Sequence, residues 1–284
     1  MNSRSIFILF SDRKSIEAMP STTNQGQTKR AFVIGNQNYE MKPLRTAVKD
    51  ATDMTNALEH IGFQVTLGIN CNFKDMSHLR DVVMKDLSEQ DLFLFYFAGH
   101  GIQLGEVNYL VPIQAIENIR ATKETERDDH IRNNCLRAQD LLDDFSKKVP
   151  YVIIFILDCC RDNPIGTFHG GSAKSGLVSM QASGISTLIQ FACAAHTVAD
   201  DGNDATGNSL FTRHLLKYLT KPNKSIDDIF NAVTRDVQIA SNGMQVPTQT
   251  RCMMIEGSIF LNTDDRRQHC KWFLFLARFI CKLF

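Results

Sequence analysis

The chain carries no net charge, because 31 lysines and arginines balance 31 aspartates and glutamates. Overall charge therefore gives no support to a nucleic-acid partner. Cysteine is sparse, eight in 284 residues with no repeated spacing, which excludes a disulfide-stapled scaffold. The thiols are read as reduced and the expected compartment as the cytoplasm. No run approaches the roughly 20 apolar residues of a membrane span. The stretch from Ile6 to Phe10 is shorter than the about 7–15 apolar residues of a secretory signal. Three motifs are missing: a G-x-x-x-x-G-K-S/T phosphate loop, a G-x-S-x-G nucleophile elbow and a C-x-x-C pair. A thiol phosphatase would need an arginine six positions after its cysteine, and position 166 is Gly166.

What is present is an apolar fraction of 43%, enough to bury a core and to argue against disorder. Residues 1–28 lack periodicity after Phe10 and read as a mobile arm. The run Ala31 to Ile34, closed by Gly35, reads as a buried strand. Leu44, Val48, Ala51, Met54, Leu58 and Ile61 keep helical spacing, and Gly62 ends that helix. Strand Phe63 to Leu67 and an amphipathic helix over Met76, Leu79, Val83 and Leu87 follow. Leu92 to Phe97 is apolar throughout, as a strand covered on both faces requires. Asn108 to Pro112 reads as a short strand, and the charged stretch from Ile116 to Asn134 as a loop or frayed helix. A helical face at Ala138, Leu141, Leu142 and Phe145 precedes the buried strand Tyr151 to Leu157. A long glycine-bearing loop runs from Arg161 to Ser186, a length usually tied to function. Thr187 to Ala192 reads as a strand, Ser209 to Leu219 and Ser225 to Ala240 as helices. Ser225 and Asp228 have the spacing of a capping box. Met253 to Leu261 is expected to supply a last strand or hairpin. Strands alternating with helices imply an α/β fold with a mostly parallel sheet. Active groups in such sheets sit at the carboxyl ends of the strands.

Two strand ends carry reactive residues. The third strand runs into Ala98-Gly99-His100-Gly101, and the strand ending at Leu157 runs into Asp158-Cys159-Cys160-Arg161. Glycines beside His100 remove bulk around the ring and permit unusual backbone angles. A histidine and a cysteine at two such ends can form a nucleophile and its proton acceptor. Two cysteines compete for the role. Strand alternation puts Asp158 and Cys160 on one face and Cys159 on the other. Cys160 is therefore expected to be the nucleophile and Cys159 a small buried thiol behind the sheet.

With these residues the chain resembles the caspase-like cysteine peptidases, and most nearly the paracaspases and their bacterial relatives. The resemblance is carried by Phe32 to Tyr39, Ala47 to Ala51, Tyr96 to Gly101, Asn108 to Pro112, Leu157 to Pro164, Gly176-Leu177, Phe191 to Ala195 and Asn208 to Thr212. It covers residues 29–262. It implies a caspase-hemoglobinase fold, a six-stranded sheet with five parallel strands and helices on both faces. The chain then divides into the 1–28 arm, a catalytic domain at 29–263 and a tail at 264–284. Within the domain, 29–165 is large-subunit-like, 165–186 the intervening loop and 187–263 small-subunit-like. The resemblance further implies a His100–Cys160 dyad, with the backbone N–H groups of Gly101 and Cys160 serving the oxyanion.

Specificity rests on the pocket for the substrate residue just before the cut bond, P1. Caspases carry Gln two positions before the nucleophile; here Asp158 stands there. The resemblance to paracaspases and metacaspases implies acids at Asp158 and Asp50, with a third after the fifth strand at Asp201, or its neighbour Asp200. Paired carboxylates favour a guanidinium, so cleavage after Arg, then Lys, is expected of protein or peptide substrates. Three alternatives stand against this: a solvated Asp50, a basic pocket built on Arg45 with Asp specificity, and a catalytically silent interaction scaffold. No cofactor is expected, and calcium independence is favoured. Lys174 offers a basic cleavage point inside the 165–186 loop, although obligatory processing is not expected. The resemblance adds pairing of two copies through the last strand. Residues 272–284 are apolar except for Arg278 and Lys282, which share a stripe with Lys271. Membrane contact through that tail is the weaker reading, against a tail that frays or packs on the domain.

Overall fold

The computed structural model describes residues 27–160, 173–174, 180–181, 185–193 and 207–263. Lys29–Gly35 forms β1, Ala47–His60 α1, Gln64–Ile69 β2 and Phe73–Asp86 α2. Leu92–Leu104 forms β3, Val107–Leu110 β4, Ala115–Ala121 α3 and Arg127–Asn134 α4. Leu136–Arg137 is β5, Ala138–Ser146 α5, Val152–Cys160 β6, Ala173–Lys174 β7 and Thr187–Phe191 β8. Leu210–Leu219 is α6, Ile226–Ala240 α7 and Thr248–Cys252 β9.

The main sheet has the order β2-β1-β3-β6-β8-β9. The first five strands are parallel and β9 runs antiparallel to β8, which is the six-stranded arrangement expected. The centres of β1, β3 and β6, at Ala31 to Ile34, Leu92 to Ala98 and Val152 to Leu157, are buried on both faces, which accounts for their apolar runs. One face packs α1, α6 and α7 against Val33, Leu94, Tyr96, Ile154, Ile156 and Leu188. The other packs α2 and α5 against Phe32, Phe93, Phe95 and Phe155. There Phe145 of α5 sits edge-on to Phe93, ring centroids 4.7 Å apart.

Local signals explain most element ends. α1 closes as a Schellman motif: Gly62 stands at φ +89°, Phe63 N–H donates to Leu58 C=O and Gly62 N–H to Glu59 C=O. Gly35 lets α1 approach β1, since a Cβ there would lie 2.5 Å from Ala47 C=O. The full capping box falls at Asn72 and Asp75 on α2. Ser225 caps α7 by accepting from Asp228 N–H.

Four expectations need correction. α1 begins at Ala47, three residues after Leu44. The stretch 116–134 contains two helices, because Ile116, Ile119 and Ile131 bury themselves in a side cluster with Tyr39, Ile102 and Tyr109. The last strand is Thr248–Cys252, with Met253 to Leu261 forming only a bridge from Phe260 to Ser225. An edge strand pairs on one side only and so needs no apolar run to mark it. Finally, the glycine-flanked histidine lies within a strand: β3 continues to Leu104, its end pairing antiparallel with β4 and β7. No helix among the described residues is long and apolar enough to cross a membrane.

Candidate active site

β3 and β6 run side by side to the carboxyl end of β6, with β3 continuing beyond it. Their parallel register pairs Ala98 with Asp158, Gly99 with Cys159 and His100 with Cys160. The main chains at positions 100 and 160 are therefore direct neighbours, one strand spacing apart, about 4.8 Å. Position 160 is described by its backbone alone.

His100 is buried, 5% exposed, and held from three directions. Its N–H donates to the Tyr39 hydroxyl at 3.1 Å, and its carbonyl accepts from Val111 N–H at 3.0 Å. Its Nε2 lies 2.8 Å from the Lys42 carbonyl. A carbonyl only accepts, so Nε2 carries the proton, and the neutral ring keeps its lone pair on Nδ1. The Tyr39 ring packs on the imidazole with centroids 4.5 Å apart. Burial holds the Tyr39 phenol well above its ordinary range, so it remains a donor, to Val111 C=O at 2.8 Å. The segment carrying Tyr39 and Lys42 is tied down by Asn70 Oδ1, which accepts from Gln37 and Asn38 N–H, and by Glu117, which accepts from Met41 N–H.

Gly99 is needed for space, since a Cβ there would lie 2.7 Å from the Phe97 ring and 2.9 Å from the Tyr39 hydroxyl. The conformational freedom of glycine is not used here, since Gly99 lies inside β3 with no positive φ. Strand alternation adds one consequence. His100 N–H faces the β1 side, so Gly101 N–H faces the β6 side, where Cys160 ends its strand. Tyr39→Phe keeps the ring and leaves His100 N–H without its acceptor. It should cost about 1–3 kcal/mol, read by denaturant unfolding.

Strand alternation separates the neighbours of position 160. Cys159 is 2% exposed within the α2–α5 cluster. Asp158 faces the opposite side, where its Oδ2 accepts from Ser209 Oγ at 2.7 Å and Thr212 Oγ1 at 2.6 Å. Tyr96 hydroxyl stands 2.6 Å from Thr212 Oγ1 and 3.4 Å from Asp158 Oδ2. Asp50 arrives from the first turns of α1 and is also buried. Its Oδ1 accepts from Asn208 Nδ2 at 2.9 Å and Ser209 N–H at 3.0 Å, and its Oδ2 from Thr46 Oγ1 at 2.9 Å.

Burial and then the Asp158 charge push Asp50 up to about 7, against the hydrogen bonds from Asn208, Thr46 and Ser209. Burial and then the two carboxylates hold the Tyr96 phenol protonated. The solvated Asp50 considered from sequence is therefore overturned by its contacts. Arg45 is exposed on the bend before α1, whereas among the described residues the buried charged groups bonded to Ser209, Asp50 and Asp158, are acids.

The structure thus brings together His100 and the backbone of Cys160, and separately Asp50 and Asp158. Asp200, Asp201, Arg161 and the tail fall outside the described residues. Of the 165–186 loop, Lys174 is described by its backbone, paired with Gln103. Tyr39, the Lys42 carbonyl, Ser209 and Thr212 have no role that the sequence marks, although Tyr39, Ser209 and Thr212 lie inside the motif blocks. Among the described residues no group of three or more His, Cys, Asp or Glu is arranged to hold a metal ion.

Residues 28–257 match the family model for the caspase domain. The human mucosa-associated lymphoid tissue lymphoma translocation protein 1 is 29% identical over 143 residues, 49% of this chain and 16% of that protein. Its mouse homolog is 28% identical over 134 residues, 47% of this chain and 15% of that protein. The match therefore spans about a sixth of the length of these relatives. In structure, a crystallised Geobacter sulfurreducens protein superposes with a TM-score of 0.58 at 15% identity, over 81% of this chain and 95% of that one.

Proposed function

The chain belongs to the caspase-domain family, and from that premise we propose that it is a cysteine endopeptidase cutting after Arg, and less well after Lys. The observation that carries the reading is the pairing of His100, inside β3, with position 160 at the end of β6, beside the buried Asp50–Asp158 pair. His100 Nδ1 takes the proton of the Cys160 thiol, and the thiolate attacks the carbonyl after the P1 residue. The oxyanion is received by the N–H groups of Gly101 and Cys160, which stabilise charge only as it develops. The facing of Gly101 N–H toward β6 supports that role. His100 then returns its proton to the leaving amine, and an acyl thioester remains on Cys160. Water, deprotonated by His100, attacks the thioester and frees the second product. The Lys42 carbonyl supports this cycle by fixing the tautomer and by stabilising the imidazolium formed midway.

Asp50 and Asp158 supply the counter-charge for a P1 guanidinium, which engages carboxylates through paired N–H donors. Arg is favoured over Lys because an ammonium presents a single point of charge. Protein or peptide segments with a basic P1 are the proposed substrates.

The test is a panel of fluorogenic peptides varied only at P1, run on the purified protein with and without calcium. Arg is expected first, Lys second and Asp at background, with equal rates in both buffers. A panel led by Asp would overturn the specificity. Absence of cleavage, together with no labelling of Cys160 by a peptidyl-arginine chloromethylketone, would identify a silent scaffold.

A further inference from the structure

We propose that Ser209 is the positioning residue of the P1 pocket, holding both of its carboxylates at once. The inference rests on the basic-P1 reading above and extends it to a residue outside the acid pair.

Ser209 is the N-cap of α6, with extended backbone (φ −55°, ψ 154°) and an Oγ that accepts from Thr212 N–H at 3.1 Å. A cap uses only a lone pair of the hydroxyl. Here the hydroxyl proton is directed at Asp158 Oδ2, 2.7 Å away. The Ser209 amide N–H is divided between the two oxygens of Asp50, at 3.0 and 3.3 Å. One 5%-exposed residue thus donates to both acids. Those acids belong to different elements, Asp50 to α1 and Asp158 to β6.

Two like charges in a buried place repel, and desolvation favours any movement that lets water reach them. Donors fixed to one rigid helix end oppose that movement. They present the pair at constant spacing, as bidentate recognition of a guanidinium requires. Asp53 and Lys49 of α1 form an ion pair at 2.6 Å, with Asn208 Nδ2 bridging Asp53 and Asp50. From β3 comes Tyr96, and from α6 the Thr212 hydroxyl that also donates to Asp158.

The competing explanation is that Ser209 only starts a helix. The molecule contains its own control: Ser225 caps α7 in the same way, accepting from Asp228 N–H at 3.1 Å. Losing either cap should lower thermal stability by comparable amounts, whereas only Ser209 should alter substrate binding.

The experiment compares Ser209→Ala, Ser209→Gly, Ser209→Thr and Ser225→Ala with wild type on Arg and Lys peptides. Glycine keeps the amide and serves as an N-cap nearly as well as serine, so this variant folds even if alanine does not. Cys160 alkylation by iodoacetamide, which makes no use of the P1 pocket, is read in parallel by peptide mass. Ser209→Ala and Ser209→Gly should raise KM for the Arg peptide about tenfold or more, with kcat within about threefold. The Arg-to-Lys preference should shrink, and the acid limb of kcat/KM should move to higher pH, because a donor to the ionised acid has gone. Alkylation should stay within about twofold of wild type, Ser209→Thr should restore KM, and Ser225→Ala should leave KM unchanged. Unchanged KM and Arg-to-Lys ratio in both Ser209→Ala and Ser209→Gly overturn the inference alone, as does an equal KM change in Ser225→Ala. A wild-type enzyme with no basic preference overturns the P1 reading, and this inference with it.

Discussion

Cys160→Ala should abolish cleavage of an Arg-terminated fluorogenic peptide, by about 10⁴-fold or more in kcat, while Cys159→Ala retains most of the activity. The contrast follows from strand alternation. Cys159 is 2% exposed in the aromatic cluster beneath α2 and α5, on the face opposite Asp158. Its carbonyl receives the Cys193 thiol at 3.9 Å, a contact that any residue at position 159 would keep. Truncating it to alanine removes one sulfur from a packed apolar layer. The cost should be stability, about 1 kcal/mol or a little more, and not chemistry. At position 160 the register places the backbone opposite His100, and in the proposed mechanism the sulfur lost there is the nucleophile. The two variants are read by initial rate and by thermal unfolding together. Loss of activity only in Cys159→Ala would reverse the assignment. Loss in both, with folding intact, would remove the argument from alternation.

The opposite facing of Asp158 and Cys159 is legible in the sequence because period-two alternation needs only a strand of known phase. Val152 to Cys160 is apolar up to Leu157, and the phase runs on through Asp158. Gly35, Gly99 and the Gly-His-Gly block were visible for a similar reason, since glycine marks close approach. Other parts of the site leave no such mark. The Lys42 carbonyl that sets the His100 tautomer is a backbone atom, which any residue type would present. Ser209 reads as an ordinary helix start, and its second bond, to Asp158, joins residues 51 positions apart. β9 is a polar edge strand, TQTRC, whose only signal is its pairing with β8. The helices within 116–134 carry charge on their exposed sides and three isoleucines inward, too few to establish a period by themselves.

Cleavage after arginine should weaken steeply as pH falls below about 7, and Asp50→Asn should remove that dependence. Asp50 is pushed up to about 7 by burial and by the Asp158 charge, so in the empty enzyme it is half protonated near neutrality. A P1 guanidinium needs the ionised form and must displace the proton. Below pH 7 each further unit should therefore lower kcat/KM for the Arg peptide by up to about tenfold. Asp50→Asn should lower kcat/KM about 10²-fold at pH 8, since one buried counter-charge is lost. Its ratio to wild type should then rise toward unity as the pH drops, because every other titrating group contributes equally to both enzymes. Stability should move the opposite way. The folded pKa of this acid is raised above its unfolded value of 3.8, so the native state holds a proton that the unfolded chain has released between about pH 4 and 7. Stability falls as pH rises through that window, and the penalty is complete above it. Asp50→Asn should therefore unfold at a higher temperature than wild type at pH 8 and at nearly the same temperature at pH 4, provided the amide keeps the bonds to Asn208, Ser209 and Thr46. A variant that loses both activity and stability at pH 8 would mean that Asp50 holds the fold together through those bonds. A variant that gains stability while losing Arg cleavage would show that the carboxylate is kept, at the expense of the fold, for the cation it receives.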